Sequence, residues 1–232
     1  MKKNPGRKYR EAMVPEIDGH IREVLRRHPV IDIGGGTPWE TGWVHEVYGG
    51  LLKEKKAICL DYNFSKKPHI VADVHCLPFG TGSIGGIICN AVLEHVSNPF
   101  LAAAEIHRVL KPGGAAFVYV PFLYPYHDEV DYWRFTENAI RHLFRQFSEI
   151  EVVPAKEGYA GVFLSFLVFH VEPFKGMALH LRGIMDWLLT AFGFGAYLLI
   201  KGRKARPSDF RRKMRSYLHD RNVHGHFILL KK

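Results

Sequence analysis

The sequence predicts an α/β fold whose core is a doubly wound, mostly parallel sheet of about seven strands. Two observations carry this prediction. Short apolar runs of strand length alternate with segments of helical periodicity, which is typical of parallel strands joined by crossover helices. In addition, the first run, Val30–Ile33, breaks into the glycines Gly34–Gly36, as a buried strand does when it turns into a helix at a ligand-binding edge.

Each element follows from the local pattern. Apolar residues at helical spacing predict a helix over Pro15–Arg27 and another over Trp39–Leu51, which Gly49–Gly50 are expected to fray or end. A third helix is predicted over Pro99–Leu110, with Lys111–Gly114 as its stop. The remaining strands are predicted at Ala57–Leu60, Ile70–Ala72, Ile84–Cys89, Ala115–Val120, Ile150–Val153 and Gly225–Leu230.

The glycine turn indicates the kind of ligand it would bind. Gly34 and Gly36 fit the first two positions of the dinucleotide pattern G-x-G-x-x-G, but Trp39 occupies the third. A tryptophan there argues against a bound pyrophosphate and favours a cofactor that is held at amino-acid and ribose portions. An ordinary strand-to-helix loop remains the alternative, because a glycine-rich turn alone is a weak signal.

Three acids stand at the ends of neighbouring predicted strands. Asp32, Asp61 and Asp73 are expected on one rim of the sheet, and a carboxylate in the position of Asp61 can accept hydrogen bonds from both hydroxyls of a ribose. Each acid taken singly is also compatible with a helix N-cap or a loop position.

The distribution of charge, cysteine and histidine limits the other kinds of function and site that the sequence allows. The net charge of +9 is uneven, because the segment Lys201–Arg215 contributes +7 of it, so the sequence shows one basic patch rather than a generally basic protein. Cys59, Cys76 and Cys89 lie in apolar stretches without metal-ligand spacing and are interpreted as reduced core residues of a cytoplasmic protein. No metal site is predicted. The C-terminal histidines are interpreted as a solvated basic end; they are His219, His224 and His226.

Five segments in this order resemble the class I S-adenosylmethionine-dependent methyltransferases, with a domain of the type 11 kind. They are Val30–Pro38, Asp61, Ala72–Phe79, Asn90–Val96 and Arg108–Gly114. The resemblance covers about Val30–Val153 and implies a Rossmann-like sheet, an antiparallel last strand and S-adenosyl-L-methionine as the cofactor.

The resemblance also implies roles for single residues. Asp32 and the backbone of Gly34, Gly35 and Gly36 would hold the amino-acid end of the cofactor, and Asp61 would bind the ribose with Tyr62 beside it. The contacts it implies for the rest of the cofactor are Asp73 and Val74 at the adenine, and Asn90 and Ala91 near the sulfonium. Together with the helical periodicity before Val30 and the apolar and basic composition after Val153, it divides the chain into four predicted regions: 1–29 as a helical lead-in, 30–153 as the cofactor-binding core, 154–222 as a helical insertion that serves as a lid or docks on a membrane, and 223–232 as the last strand.

The aromatic and charged segment Pro121–Thr136 follows a central strand and is interpreted as the acceptor-binding loop. His127 is the candidate general base, oriented by Asp128 or Asp131, and His95 is a second candidate that is more simply explained by a helix-capping or loop-bracing role. The alternative is that His127 and Arg134 only brace the loop. The candidate substrate-binding residues are Tyr126, His127, Tyr132, Trp133 and Arg134, and Thr136 is the expected N-cap of the next helix.

The insertion combines two apolar runs, Tyr159–Val171 and Ile184–Ile200, with the basic segment that follows them. Neither run reaches the length of a membrane-spanning helix. Ile184–Arg215 is therefore interpreted either as a surface that docks on an anionic membrane or as a lid or dimer partner, and the two interpretations stay open.

The sequence thus predicts a methyltransferase acting on a small-molecule, sugar-related or lipid-linked acceptor. Two rival classes remain: a nicotinamide-dinucleotide-dependent oxidoreductase, which Trp39 disfavours, and a non-catalytic module that binds nucleic acid through Lys201–Arg215. The second rival is disfavoured because basic and aromatic residues are not interleaved elsewhere. A homo-oligomer is compatible with the sequence.

Overall fold

The structure, a computed structural model, describes residues 17–38, 42–124, 126–156 and 223–232. By their contacts the described residues fall into two compact units. One contains 17–38, 42–121, 128–153 and 226–232, and the other contains 122–124, 126–127, 154–156 and 223–225. Nearly all of the predicted insertion, including Ile184–Arg215, lies outside the described residues, as does Trp39.

The core is a seven-stranded sheet in the order β3-β2-β1-β4-β5-β7-β6. Parallel pairing joins β3 to β2, β2 to β1, β1 to β4 and β4 to β5. Strand β7 runs antiparallel to β5, because Gly113 bonds to Lys232 at one end and Phe122 bonds to His224 at the other. The predicted fold class is therefore confirmed. The strands are β1 Val30–Ile33, β2 Ile58–Asp61, β3 Ile70–Val71, β4 Ile84–Asn90, β5 Leu110–Pro121, β6 Glu149–Lys156 and β7 Val223–Lys231.

Four helices accompany the described part of this sheet. Helix α1 covers residues 17–25, and its predicted apolar face is fully buried. Helix α3 begins after Asn98, whose side chain accepts a hydrogen bond from the backbone of Leu101, and α4 begins after the predicted N-cap Thr136, which bonds to the backbone of Ala139. The remaining bounds are α2 Gly42–Glu54, α3 Pro99–Val109 and α4 Glu137–Leu143, with short 3-10 turns at Phe64–Lys66 and Leu93–His95.

Two predicted boundaries are wrong. Helix α2 continues through Gly49–Gly50 to Glu54 because Tyr48 and Leu52 are buried on the same side of it, so tertiary packing outweighs the low helix propensity of glycine. Helix α3 ends at Val109, directly before the predicted stop Lys111–Gly114, so this helix end is confirmed. The wrong boundary is the start of β5, which is predicted at Ala115 but lies at Leu110, so that Lys111–Gly114 belong to the strand, whose pairing with β4 shifts register near Ile84.

Two further interpretations need correction. Cys59 and Cys89 are buried as expected, but Cys76 is exposed, because it follows a turn closed by Asp73 rather than a strand. His226 is not part of a solvated end: it is 5% exposed within β7, and burial lowers its pKa.

Helix α1 and the chain after it lie directly against β4. An added Cβ at Gly86 would lie 2.4 Å from the carbonyl oxygen of Val24, and one at Gly85 would lie 2.6 Å from that of Arg27. Only glycine permits this approach, which fixes the end of β4 that is opposite the candidate site. Across the four described ranges, no helix combines the length and the apolar content needed to cross a bilayer.

Candidate functional site

The glycine turn after β1 is held mainly by β2. The backbone N–H groups of Gly34 and Gly35 donate to the carbonyl of Leu60, over 2.8 and 3.3 Å. The N–H of Gly36 donates to a carboxylate oxygen of Asp61 over 2.8 Å, and its carbonyl lies 3.3 Å from the sulfur of Cys59. All three amide donors of the turn are therefore used inside the protein, and the turn is a fixed surface before any ligand arrives.

Asp61 lies where the sequence places it, at the carboxyl end of β2 beside the turn. Its Oδ2 accepts from Gly36, and its Oδ1 accepts from the backbone of Asn63 over 2.7 Å. The residue is partly exposed, and each carboxylate oxygen can accept one further hydrogen bond. The carboxylate is thus both held in place and available for two ligand hydroxyls.

Asp32 occupies a different place from the one predicted. The sequence places it on the open rim, but it is 3% exposed, within β1, and its Oδ2 lies 2.5 Å from Nε2 of His45 on α2. The pKa of the Asp32 carboxyl is raised above its ordinary value, because the effect of burial exceeds that of the hydrogen bond to His45, which lowers it. An added Cβ at Gly35 would lie 2.4 Å from the same Oδ2, so the buried carboxylate sits directly under the turn.

His45 is a residue that the sequence analysis missed. It is 7% exposed on α2, thirteen positions after Asp32. The sequence pattern that could have indicated its burial is its place between the apolar residues Val44 and Tyr48, on the buried face of the helix. This pattern predicts that His45 is buried, but it does not indicate Asp32 as its hydrogen-bond partner.

The segment after β4 meets the turn from the other side. An added Cβ at Gly34 would lie 2.3 Å from a methyl group of Val92, so the two segments touch. Ala91 has a φ of +54°, which is costly for a residue with a side chain, and its N–H bonds to Tyr119 of β5. The side-chain oxygen of Asn90 is buried and has no hydrogen-bond partner among the described residues. The predicted wall residues Asn90 and Ala91 are thus next to the turn.

Glu94, in the same segment, is fully buried, and neither carboxylate oxygen has a hydrogen-bond partner in the described part of the chain. Nε2 of His95 lies 3.8 Å from Oε1 of Glu94. The pKa of Glu94 is raised to about 8; burial is the largest cause, the charge of Asp131 acts in the same direction, and that of Arg134 opposes the rise. This carboxyl is therefore protonated at neutral pH.

The predicted acceptor loop is attached to this segment. The carbonyl of Glu94 accepts from the backbone of Tyr132 over 2.7 Å, and the indole of Trp133 donates to the carbonyl of Val96 over 2.8 Å. Nδ1 of His95 lies 2.5 Å from the carbonyl oxygen of Val130, so His95 contacts the loop, and its role there stays a prediction. The rings of Tyr132 and Trp133 remain exposed.

Asp131 and Arg134 form an ion pair within this loop. Both carboxylate oxygens of Asp131 face the guanidinium of Arg134, and one of these contacts measures 2.6 Å. The structure thus gives Asp131 a cationic partner other than the predicted His127. The ring of His127 packs edge-on against Tyr124, at 4.8 Å between centroids, and its role as a general base stays a prediction. Tyr126 is exposed.

The predicted adenine-binding residues follow β3. Asp73 accepts hydrogen bonds from the backbone of His75 over 2.9 Å and lies 2.7 Å from its ring, and the bond to the backbone lowers the pKa of the carboxyl. Val74 is buried, whereas Tyr62, after β2, is 81% exposed. The ring of His75 also accepts from the backbone of Asn98 over 3.4 Å, which brings this turn toward the start of α3.

Comparison with known proteins indicates which protein family this segment resembles. Residues 31–118, from β1 into β5, match the family described as a methyltransferase domain. Over these residues the chain is similar to the class I S-adenosylmethionine-dependent methyltransferases. The cofactor of this family is S-adenosyl-L-methionine.

Individual relatives agree with this assignment. An uncharacterized chloroplastic methyltransferase of Arabidopsis thaliana is 43% identical over 109 residues, which are 46% of this chain and 28% of that protein. The chain therefore spans less than a third of this curated relative. A crystal structure of an S-adenosylmethionine-dependent methyltransferase from Archaeoglobus fulgidus shares 13% identity with a TM-score of 0.58, covering 96% of this chain and 94% of that one.

A third similar structure shows why the fold does not name a reaction. The [4+2]-cyclase SpnF shares 14% identity with a TM-score of 0.51, covering 96% of this chain and 82% of that chain. At such identities the likeness concerns the fold alone.

The residues of the methyltransferase domain fit its cofactor. Asp61 offers a held and partly exposed carboxylate to ribose hydroxyls, and the buried side-chain oxygen of Asn90 has no hydrogen-bond partner within the described ranges, which a bound group would supply. Gly34 and Gly35 leave no room for side chains that would alter the turn. When bound, S-adenosylmethionine supplies an activated methyl group on a sulfonium.

Proposed function

We propose that the protein transfers a methyl group from S-adenosylmethionine to an oxygen or carbon of a small-molecule, sugar-related or lipid-linked acceptor. The single observation that carries the proposal is the carboxylate of Asp61. It is fixed by the backbone of Gly36 and Asn63 at the end of β2, inside the segment that matches the methyltransferase domain. A ribose diol is the ligand group that such a carboxylate suits best.

The remaining residues of the site act by position. The turn Gly34–Gly36 and the segment Asn90–Val92 would enclose the cofactor from two sides, so that its reactive end is oriented toward the acceptor. Methyl transfer is an in-line displacement, for which orientation and exclusion of water supply most of the rate enhancement. His127, as the general base, would remove the proton of a hydroxyl acceptor.

The aromatic rings of the predicted acceptor loop support the proposed class of acceptor. Tyr132 and Trp133 present exposed rings, while the backbone of both and the indole of Trp133 are bonded to the segment after β4. Fixed aromatic faces of this kind suit a sugar ring or another flat apolar surface. An anionic membrane surface for Ile184–Arg215 belongs to the same proposal for a lipid-linked acceptor, and those residues lie outside the described ranges.

Isothermal titration with S-adenosylmethionine tests the cofactor site. The wild type is expected to bind, and Asp61→Ala is expected to lose binding because two ribose hydroxyls lose their acceptor. Glu54→Gln, which removes an exposed carboxylate at the end of α2, is the matched control and should bind as the wild type does. Equal binding by Asp61→Ala would reject the assignment of the ribose site.

The acceptor class is tested with methyl-labelled S-adenosylmethionine and a cell extract. Label that partitions into an organic phase would identify a lipid-linked acceptor, and label in the aqueous phase would identify a soluble one. Absence of enzyme-dependent label in any fraction, with cofactor binding intact, would contradict methyl transfer as the activity.

A further inference from the structure

The predicted acceptor loop is attached directly at the buried residue Glu94. The carbonyl oxygen of Glu94 accepts hydrogen bonds from the backbone of Tyr132 and Trp133, over 2.7 and 3.2 Å. The carbonyl of Val130, two residues earlier in the loop, contacts the ring of His95. Because the loop is attached at Glu94 and at the residue after it, opening of the loop would expose the Glu94 carboxyl to water.

The surroundings of this carboxyl do not suit a negative charge. Glu94 is fully buried, and within the described ranges neither of its oxygens has a hydrogen-bond partner. In the compact unit that holds the sheet, Asp131 and Arg134 act on it from the loop, Cys89 acts from β4, and His95 lies beside it on its own turn. Helix α3, which also packs against this turn, buries only apolar side chains.

The guanidinium of Arg134 is already paired within the loop. Both oxygens of Asp131 face it, the side chain of Asp131 is fully buried, and the guanidinium also donates to the carbonyl of Trp133 over 2.8 Å. An ionised Glu94 would therefore place a second negative charge against a pair that is already neutral. Since burial of an unpaired carboxylate is costly, the closed loop accommodates Glu94 in its uncharged form.

The titration of Glu94 agrees with this geometry. With the loop closed, the pKa of the carboxyl is raised to about 8, and burial is the largest cause. After the loop opens, the pKa would return toward its ordinary value of 4.5. Between these values the closed form binds a proton that the open form has lost, so a rising pH favours the open loop. The contribution of Glu94 to closure is complete below pH 4.5 and is lost as the pH rises through about 8.

We propose that Glu94 is a positioning residue whose uncharged carboxyl lets the acceptor loop close and whose ionisation releases the loop. The inference rests on the proposed function, because Tyr132 and Trp133 are the rings proposed there to face the acceptor. It adds regulation to that site: the two rings are held in place at neutral pH and are released under alkaline conditions.

Hydrogen–deuterium exchange of the full chain at pH 6.5 and 8.5, corrected for the intrinsic exchange rates, tests the proposal without any ligand. The peptide that covers residues 130–136 reports on the amides of Tyr132 and Trp133, which are bonded to Glu94. From the pKa values of about 8 and 4.5, the protection of these amides should fall by about twentyfold between the two pH values in the wild type. Peptides from β4 should keep their protection, because the sheet does not open with the loop.

Two variants separate Glu94 from a general effect of pH. Glu94→Gln cannot ionise, so the protection of residues 130–136 should stay within about twofold between the two pH values. Glu137→Gln removes an exposed carboxylate at the start of α4 and is the matched control, which should keep the wild-type dependence.

Three results would overturn the inference: no fall in the wild type, an equal fall in Glu94→Gln, or an equal fall in the β4 peptides, which would mean that the whole domain unfolds. These results would leave the proposed function standing, because the exchange experiment involves neither cofactor nor acceptor. Failure of methyl transfer, together with a Glu94-dependent loss of protection, would instead reject the proposed function alone.

Discussion

Replacement of Glu94 by glutamine is expected to stabilise the protein increasingly as the pH rises. The carboxyl is fully buried without a hydrogen-bond partner among the described residues, and its pKa is about 8 against an ordinary value of 4.5. Between these values the folded protein binds a proton that the unfolded chain has lost. The stability contributed by this group is therefore complete below pH 4.5 and is lost as the pH rises through about 8.

The size of the effect follows from the same two values. In that interval the wild type loses about 1.4 kcal/mol of unfolding free energy for each pH unit through this group, and the full interval corresponds to about 5 kcal/mol. Glutamine has nearly the same shape and does not ionise, so the Glu94→Gln variant lacks this slope.

Urea denaturation of both proteins at pH 5.5, 6.5, 7.5 and 8.5 measures the difference. The unfolding free energy of Glu94→Gln, taken relative to that of the wild type, should rise by about 1 kcal/mol per pH unit up to pH 7.5 and then level off. Glu54→Gln, at an exposed position, should show no such trend. Parallel curves for Glu94→Gln and the wild type would refute the reasoning, because they would mean that Glu94 is ionised in the folded protein.

Three further predictions concern stability and use thermal or urea unfolding. Gly50→Ala should stabilise by about 0.5–1 kcal/mol, because Gly50 lies inside α2 with open space around its Cα; a loss of stability would contradict the continuous helix. Gly86→Ala should destabilise by roughly 2 kcal/mol or more through its clash with the carbonyl of Val24, and a neutral outcome would contradict that contact. Thr136→Ala should cost about 1 kcal/mol as the loss of the cap of α4, whereas Thr136→Ser should cost little.

The sequence predicts the parts of the site that depend on local order along the chain. Asp61 follows a short apolar run, and the carboxyl ends of parallel strands share one edge, so its place beside the glycine turn follows from strand order alone. The same reasoning locates Asn90 and Ala91 after β4 and Thr136 at the start of α4.

Other features depend on packing between distant segments and could not be predicted in this way. Strand alternation does not reveal that Asp32 turns toward His45 on the following helix, because the direction of a side chain near a strand end depends on its neighbours. The continuation of α2 through Gly49–Gly50 likewise depends on the burial of Tyr48 and Leu52 rather than on propensity.

Strand β6 has β7 as its sheet neighbour, and β7 lies between it and β5. During synthesis the strands that carry the cofactor-binding residues leave the ribosome early, whereas β6 waits with an unpaired edge until residues 223–231 have been made. An unpaired strand edge is a site of aggregation, and pairing across such a long sequence separation is slow. Incorporation of β6 into this sheet therefore waits for β7, whereas β1, β2 and β4, which precede the cofactor-binding residues, pair with one another without it.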